Sequence, residues 1–135
     1  MQKMLSEERV KAAIELALRN IHKAKCGHNE PCAPATKEEM AKPPILVSDA
    51  SAAIKAGVSS ALLQWCGLNW TQRSFVPLMT NYRDILLMND RQLALIGVIH
   101  GMQQGLTLGG VASKPCSTDM RRKIDARVPG RQLTR

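Results

Sequence analysis

The densest set of residues able to do chemistry lies in HKAKCGHNEPC, where His22, Cys26, His28 and Cys32 fall close together. Imidazole nitrogens and thiolates are the ligands that zinc takes tetrahedrally. His22 and Cys26 stand four apart at a predicted helix end and so share a face, and His28 and Cys32 follow in a turn that can fold back over them. The spacing matches no standard zinc-finger pattern. The competing expectation is a polar loop with two ordinary thiols, or one closed by a Cys26–Cys32 disulfide under oxidation. Zinc is thus a weak candidate, and no other cofactor is suggested.

Cys66 and Cys116 have no neighbouring histidine in sequence, which argues against a cysteine nucleophile. Cys66 ends an apolar helix and reads as a small buried residue. Cys116 lies in the C-terminal tail and reads as exposed. His100 stands between Gly97 and Gly101 in GVIHGMQQG. A catalytic histidine needs a carboxylate or nucleophile converging on it. The sequence nominates none, so His100 reads as a packed residue making one hydrogen bond. No phosphate-binding glycine loop, paired-carboxylate site or Ser-His-Asp pattern stands out, and the expectation is a protein that is not an enzyme.

The basic residues Arg121, Arg122, Lys123 and Arg127 could neutralise phosphates. They lack interleaved aromatics for stacking on bases. Their alternative reading is a solvated terminus. The chain has 19 Lys and Arg against 11 Asp and Glu, a net charge of +8, and most of the excess sits in the last fifth of the sequence.

The elements that must position these groups are helical. Hydrophobic residues make up 44% of the 135 positions, but aromatics only 3%, so the core must be Leu, Ile, Val, Ala and Met. That palette favours helices packed on helices. A first helix is predicted over 7–25, capped by Ser6, with Val10, Ala13, Ile14, Ala17, Leu18 and Ile21 as its buried stripe. Residues 26–47 hold four prolines and read as a long loop with one short turn after Thr36, where Thr36 and Glu39 have capping-box spacing. A second helix starts near Ser48 or Asp49 and stops at Gly67. A third carries Phe75, Leu78, Met79, Tyr82, Ile85 and Leu86 on one face, with Pro77 in its first turn. A fourth begins at Asn89, with Gln92 completing a second capping box, and the Gly109-Gly110 pair ends the ordered body.

Gly97, Gly101 and Gly105 form a ladder in the fourth helix, and Ala53, Gly57 and Ala61 form another in the second. Each helix-interior glycine costs about 1 kcal/mol against alanine. The matched spacing predicts that the two ladders meet in one close helix–helix seam, within a chain or between two.

The fold expectation is therefore all-α: four main helices in one domain over 1–110, a Pro-rich loop between the first two, and a flexible basic tail over 111–135, with a short helix at 119–126. The second and fourth helices carry more apolar surface than one small bundle needs. That excess points to a homodimer and to a regulatory or adaptor protein, an inhibitor or antiactivator, that occludes another protein's surface. Trp70, Phe75, Met79 and Tyr82 are the expected contacts, because aromatic and Met side chains are favoured at interfaces; the competing reading makes them core. The runner-up is a nucleic-acid-associated protein using the basic tail. Charged residues Glu7, Glu8, Arg9 and Lys11 stand where a signal peptide needs an apolar run, and no stretch approaches the roughly 18 uncharged apolar residues of a membrane span. The expected location is cytoplasmic, away from membranes, with the cysteines as free thiols or metal ligands.

Overall fold

The computed structural model describes residues 6–128. It is mostly helical, and no helix among these residues is long and apolar enough to cross a membrane. Helix α1 spans Glu7–Arg19, with Ser6 Oγ accepting the Arg9 N–H at 3.3 Å as the cap signal implied. It ends before the predicted 25, because Asn20 turns its side-chain amide back onto the Leu16 carbonyl at 2.9 Å and the chain tightens into a 3₁₀ turn over Ile21–Lys23. The buried stripe is as predicted: Val10, Ile14, Ala17, Leu18 and Ile21 all face the core.

The expected loop over 26–47 is more structured than its prolines suggested. Strands β1 (Lys25–Cys26) and β2 (Glu30–Pro31) pair antiparallel, Lys25 opposite Pro31 and Cys26 opposite Glu30. His28 and Asn29 both take φ of 62°, and the Glu30 N–H reaches back to the Gly27 carbonyl at 3.3 Å. Positive φ at both central residues is the geometry that matches strand twist in a tight hairpin. Helix α2 (Lys37–Ala41) follows, with the complete Thr36–Glu39 capping box.

Helices α3 (Val47–Trp65) and α5 (Asp90–Val111) pack along one another as the central pair, and α1 lies across both. A Schellman motif ends α3: Gly67 takes φ of +73°, Leu68 N–H bonds to the Leu63 carbonyl at 2.8 Å, and Gly67 N–H to Gln64 at 3.1 Å. Asn89 and Gln92 cap α5 reciprocally at 2.8 and 2.9 Å.

The predicted seam is half right. Ala53, Gly57 and Ala61 are buried in α3. A methyl at Gly57 would lie 2.7 Å from the His100 carbonyl oxygen and 2.7 Å from Gln103 Cβ, so glycine is what lets α5 approach there. The α5 ladder is not in the seam: methyls at Gly97, Gly101 and Gly105 would meet nothing within 4 Å. Both faces of α5 are apolar, so its sequence does not say which one turns inward. The larger Leu95, Ile96 and Ile99 fill the core and leave the glycines outside.

The tail expected to be flexible from 111 is helical in part. The Gly109-Gly110 pair does not end α5, which continues to Val111, and α6 (Thr118–Arg127) folds back onto the end of α3. The predicted short helix at 119–126 matches it, and residues 129–135 lie outside the described residues. Ile124 sits there with Leu63 and Cys66 in a second small core, flanked by Leu62, Trp65, Leu68 and Trp70.

None of the four cysteines is a free thiol. Cys26 pairs with Cys32, with Cα atoms 4.9 Å apart, and Cys66 with Cys116, with Cα atoms 5.2 Å apart, both ordinary separations for a disulfide.

Candidate functional site

Between α3 and α5 the chain forms one helical rod with two π turns. Thr71–Phe75 is the first, helix α4 (Val76–Thr80) follows, and Asn81–Ile85 is the second. Pro77 lacks an N–H and its ring crowds the carbonyl four residues earlier, which accounts for a widened turn just upstream. In the second π turn the Leu86 N–H reaches five residues back to the Asn81 carbonyl at 3.0 Å. Each such turn takes one residue more than an α-turn and shifts the phase of every side chain that follows.

That shift decides what is exposed. Tyr82 stays in the core at 5% exposure, but Ile85 and Leu86, which the period placed on its face, are 69% and 54% exposed. Leu87 is 77% exposed and takes φ of +56°. For a residue with a Cβ the left-handed region costs roughly 1–2 kcal/mol, and it is normally left to Gly or Asn. The conformation serves a reversal squeezed between the Met88 N–H, bonded to the Tyr82 carbonyl at 2.9 Å, and the Asn89 cap.

Beside this elbow runs a groove of about 400 Å³ lined by Pro43, Pro44, Leu46, Leu86 and Met88. Leu46, at 68% exposure, adds a fourth projecting aliphatic side chain. Gln92 and Asp49 also line the groove: Gln92 Nε2 donates to the Pro44 carbonyl at 2.8 Å, while Asp49 faces Tyr82. Burial, and then that carboxylate, push the Tyr82 hydroxyl up to about 12, so it stays protonated.

His100 occupies a different environment. Its Nε2 is 2.8 Å from Ser60 Oγ, and both side chains are buried between α3 and α5. The Trp70 ring stacks on the imidazole with centroids 6.1 Å apart, and Phe75 lies 4.9 Å away. Burial lowers His100 to about 4, leaving a neutral imidazole. A serine nucleophile must reach its substrate, and Ser60 is wholly enclosed. The pair acts as a polar pin that sets how α3 and α5 register.

The residues nominated as contacts divide between the two cores. Tyr82 is buried in the main core; Met79 is half-buried against it, beside Gly97, in a shallow groove next to the hairpin; Trp70 belongs to the second core, and the half-buried Phe75 bridges Trp70 and His100. The proposed zinc donors do not assemble. Cys26 and Cys32 spend their sulfurs on each other, His22 and His28 point to solvent, and no group of three or more potential ligands occurs among the described residues. Of the basic residues, Arg121 donates from Nε to the Cys66 carbonyl at 3.0 Å and Arg122 pairs with Asp119 at 2.8 Å, while Lys123 and Arg127 are exposed.

Sequence reasoning missed Leu46 and Leu87 and put Ile85 and Leu86 on a core face. One signal was available: ILLM, four apolar residues in a row immediately before the Asn89 cap, breaks the helical period that precedes it. No protein-family model, curated protein or solved structure matches this chain.

Proposed function

We propose that this chain acts by binding and not by catalysis: it is a regulatory or adaptor protein that occludes an apolar surface of another protein with its 85–87 elbow. The observation that supports this is a run of three aliphatic residues held out of the core on a backbone that Leu87 strains to maintain. The reversal into α5 accounts for the backbone at Leu87 but does not call for three exposed aliphatic side chains there, and strained positions gather where function demands them. Contiguous exposed apolar surface, rimmed here by Arg83, Asp84 and Asp90, is the character of a protein-binding patch. A projecting ridge and a receiving groove also lie side by side on this surface, which is what a two-fold pair of identical chains requires. The homodimer, in this reading, is the resting form in which two elbows cover each other until a partner displaces one.

The reading of location changes with the cysteines. Two disulfides support folding in an oxidising compartment in place of a reducing cytoplasm.

The test is sedimentation velocity on the wild-type protein and on Leu87→Asp, followed by capture of partners from the native host with each as bait. We expect the wild type to self-associate with rising concentration, and the variant to stay monomeric and lose the wild type's captured partner. Unchanged association and unchanged capture in a folded Leu87→Asp protein would overturn the proposal.

A further inference from the structure

We infer that the Cys66–Cys116 disulfide is a redox latch, and that a dithiol reductant releases α6 and uncovers an apolar face built around Trp65 and Trp70. Helix α6, TDMRRKIDAR, is the most polar helix of the fold, and Ile124 is its one buried side chain. Fixing ten residues against their conformational entropy is a large demand on one aliphatic anchor. The partly buried Val128 at its C-cap adds a second, smaller apolar contact, and the remaining contacts are polar. Arg73 donates to Asp125 Oδ1 at 2.7 Å and to the carbonyls of Asp125 and Val128, Arg121 donates to the Cys66 carbonyl, and Trp65 Nε1 donates to the Lys114 carbonyl at 2.7 Å. The Asp125 carboxylate is mostly exposed, where an ion pair adds little. What changes the balance is the covalent bond, which ties residue 116 to residue 66 across 50 positions and keeps α6 beside its groove.

Beneath α6 lie Leu62, Leu63, Trp65, Leu68 and Trp70. Trp70 in turn rests on His100, the pin between α3 and α5. The other disulfide has no comparable leverage. Cys26–Cys32 closes only its own hairpin, and the neighbouring segment stays held to α5 by Arg91, which bonds to Glu39 and to the carbonyls of Ala33 and Pro34.

The chemistry is thiol–disulfide exchange. A thiolate of the dithiol attacks the Cys116 sulfur, the less buried of the two, forming a mixed disulfide as the bond to Cys66 breaks; Cys66 leaves as a thiolate and takes a proton. The second thiol of the reductant then attacks its own half of the mixed disulfide and frees Cys116 as a thiol. Two electrons pass to the protein, and the reductant ends as a disulfide.

The molecule carries its own reporter, because its only two tryptophans both lie under the latch. The experiment reduces the folded Cys26→Ser/Cys32→Ser protein with dithiothreitol, so that one disulfide is at stake, and follows tryptophan emission and amide exchange. Reduction should shift the emission to the red and speed exchange across Thr118–Arg127 by about tenfold or more beyond any change in α3 and α5, which stay folded and protected. Cys66→Ser/Cys116→Ser should reproduce the open state without reductant, which serves if the first variant fails to fold. Unchanged emission and protection after complete reduction would sink the latch. So would loss of protection throughout α1, α3 and α5 together, since that is global unfolding and not release of one helix.

Discussion

Two segments lie on the same central pair of helices, each with one disulfide and with arginine contacts, yet the division of labour is opposite. At the N-terminal side, Cys26–Cys32 spans six positions and only rigidifies the hairpin; the polar attachment to α5 comes chiefly from Arg91, whose guanidinium grips both Glu39 oxygens at 2.6 and 2.7 Å. At the C-terminal side the disulfide itself makes the attachment, and Arg73 meets a largely exposed Asp125. Where a charge-assisted fork is shielded it adds to the apolar contacts that Cys32, Ala35, Met40 and Ile45 make with the core. Where it is open to water, a covalent bond takes over.

The largest expected effect separates the two disulfides. In the chain-entropy picture, Cys66→Ser/Cys116→Ser should lose about 4 kcal/mol against urea and Cys26→Ser/Cys32→Ser about 2 kcal/mol. Equal losses would erase the distinction between tether and local brace.

Acid should take the two sides apart in sequence. His100, beneath Trp70, has its folded value lowered to about 4 from 6.5, so the unfolded chain gains a proton first and stability falls as pH drops from 6.5 through 4, by up to about 3 kcal/mol. His100→Gln should flatten that limb of the stability–pH curve. Glu39 is held down to about 2 from 4.5, chiefly by its hydrogen bonds to Arg91, so its contribution is complete above 4.5 and is lost as pH falls from 4.5 through 2. Protection of the amides near Trp70, relative to their intrinsic exchange rates, should therefore fall at a higher pH than protection of the 33–41 segment. The reverse order would contradict the comparison.

Arg91→Met should cost about 2 kcal/mol and free the 33–41 segment to exchange, with the Cys26–Cys32 bond intact. If that segment stays protected, the hairpin disulfide holds more than its geometry implies.

The smallest effects test the two small-residue ladders of the central pair. Gly57→Ala should destabilise by about 1–2 kcal/mol, because its methyl meets the His100 carbonyl and Gln103, and backbone cannot yield cheaply. Gly101→Ala, facing open space in a helix, should stabilise by about 0.5–1 kcal/mol. Thermal denaturation of both variants reads the opposite signs directly.

What the sequence determined by itself was local. The Ser6 cap, the Thr36–Glu39 and Asn89–Gln92 boxes, the Gly67 stop and the inward stripe of α1 each depend on groups within a few residues, and each formed as read. The close packing of α3 against α5 was legible in part, in the small residues Ala53, Gly57 and Ala61. Tertiary structure decided the rest. Which face of α5 turned inward depended on competition between large and small apolar residues that periodicity does not rank. The pairing of Cys66 with Cys116 required α6 to return across 50 positions, and no local pattern encodes that return. Ile85 and Leu86 left the core because two π turns shifted the phase of an otherwise regular stripe, and Leu87 became the most exposed side chain of the elbow only once the chain had to reverse before Asn89. Short-range hydrogen bonds can be read from neighbours in sequence, whereas phase, facing and long-range closure are settled by what the rest of the chain leaves room for.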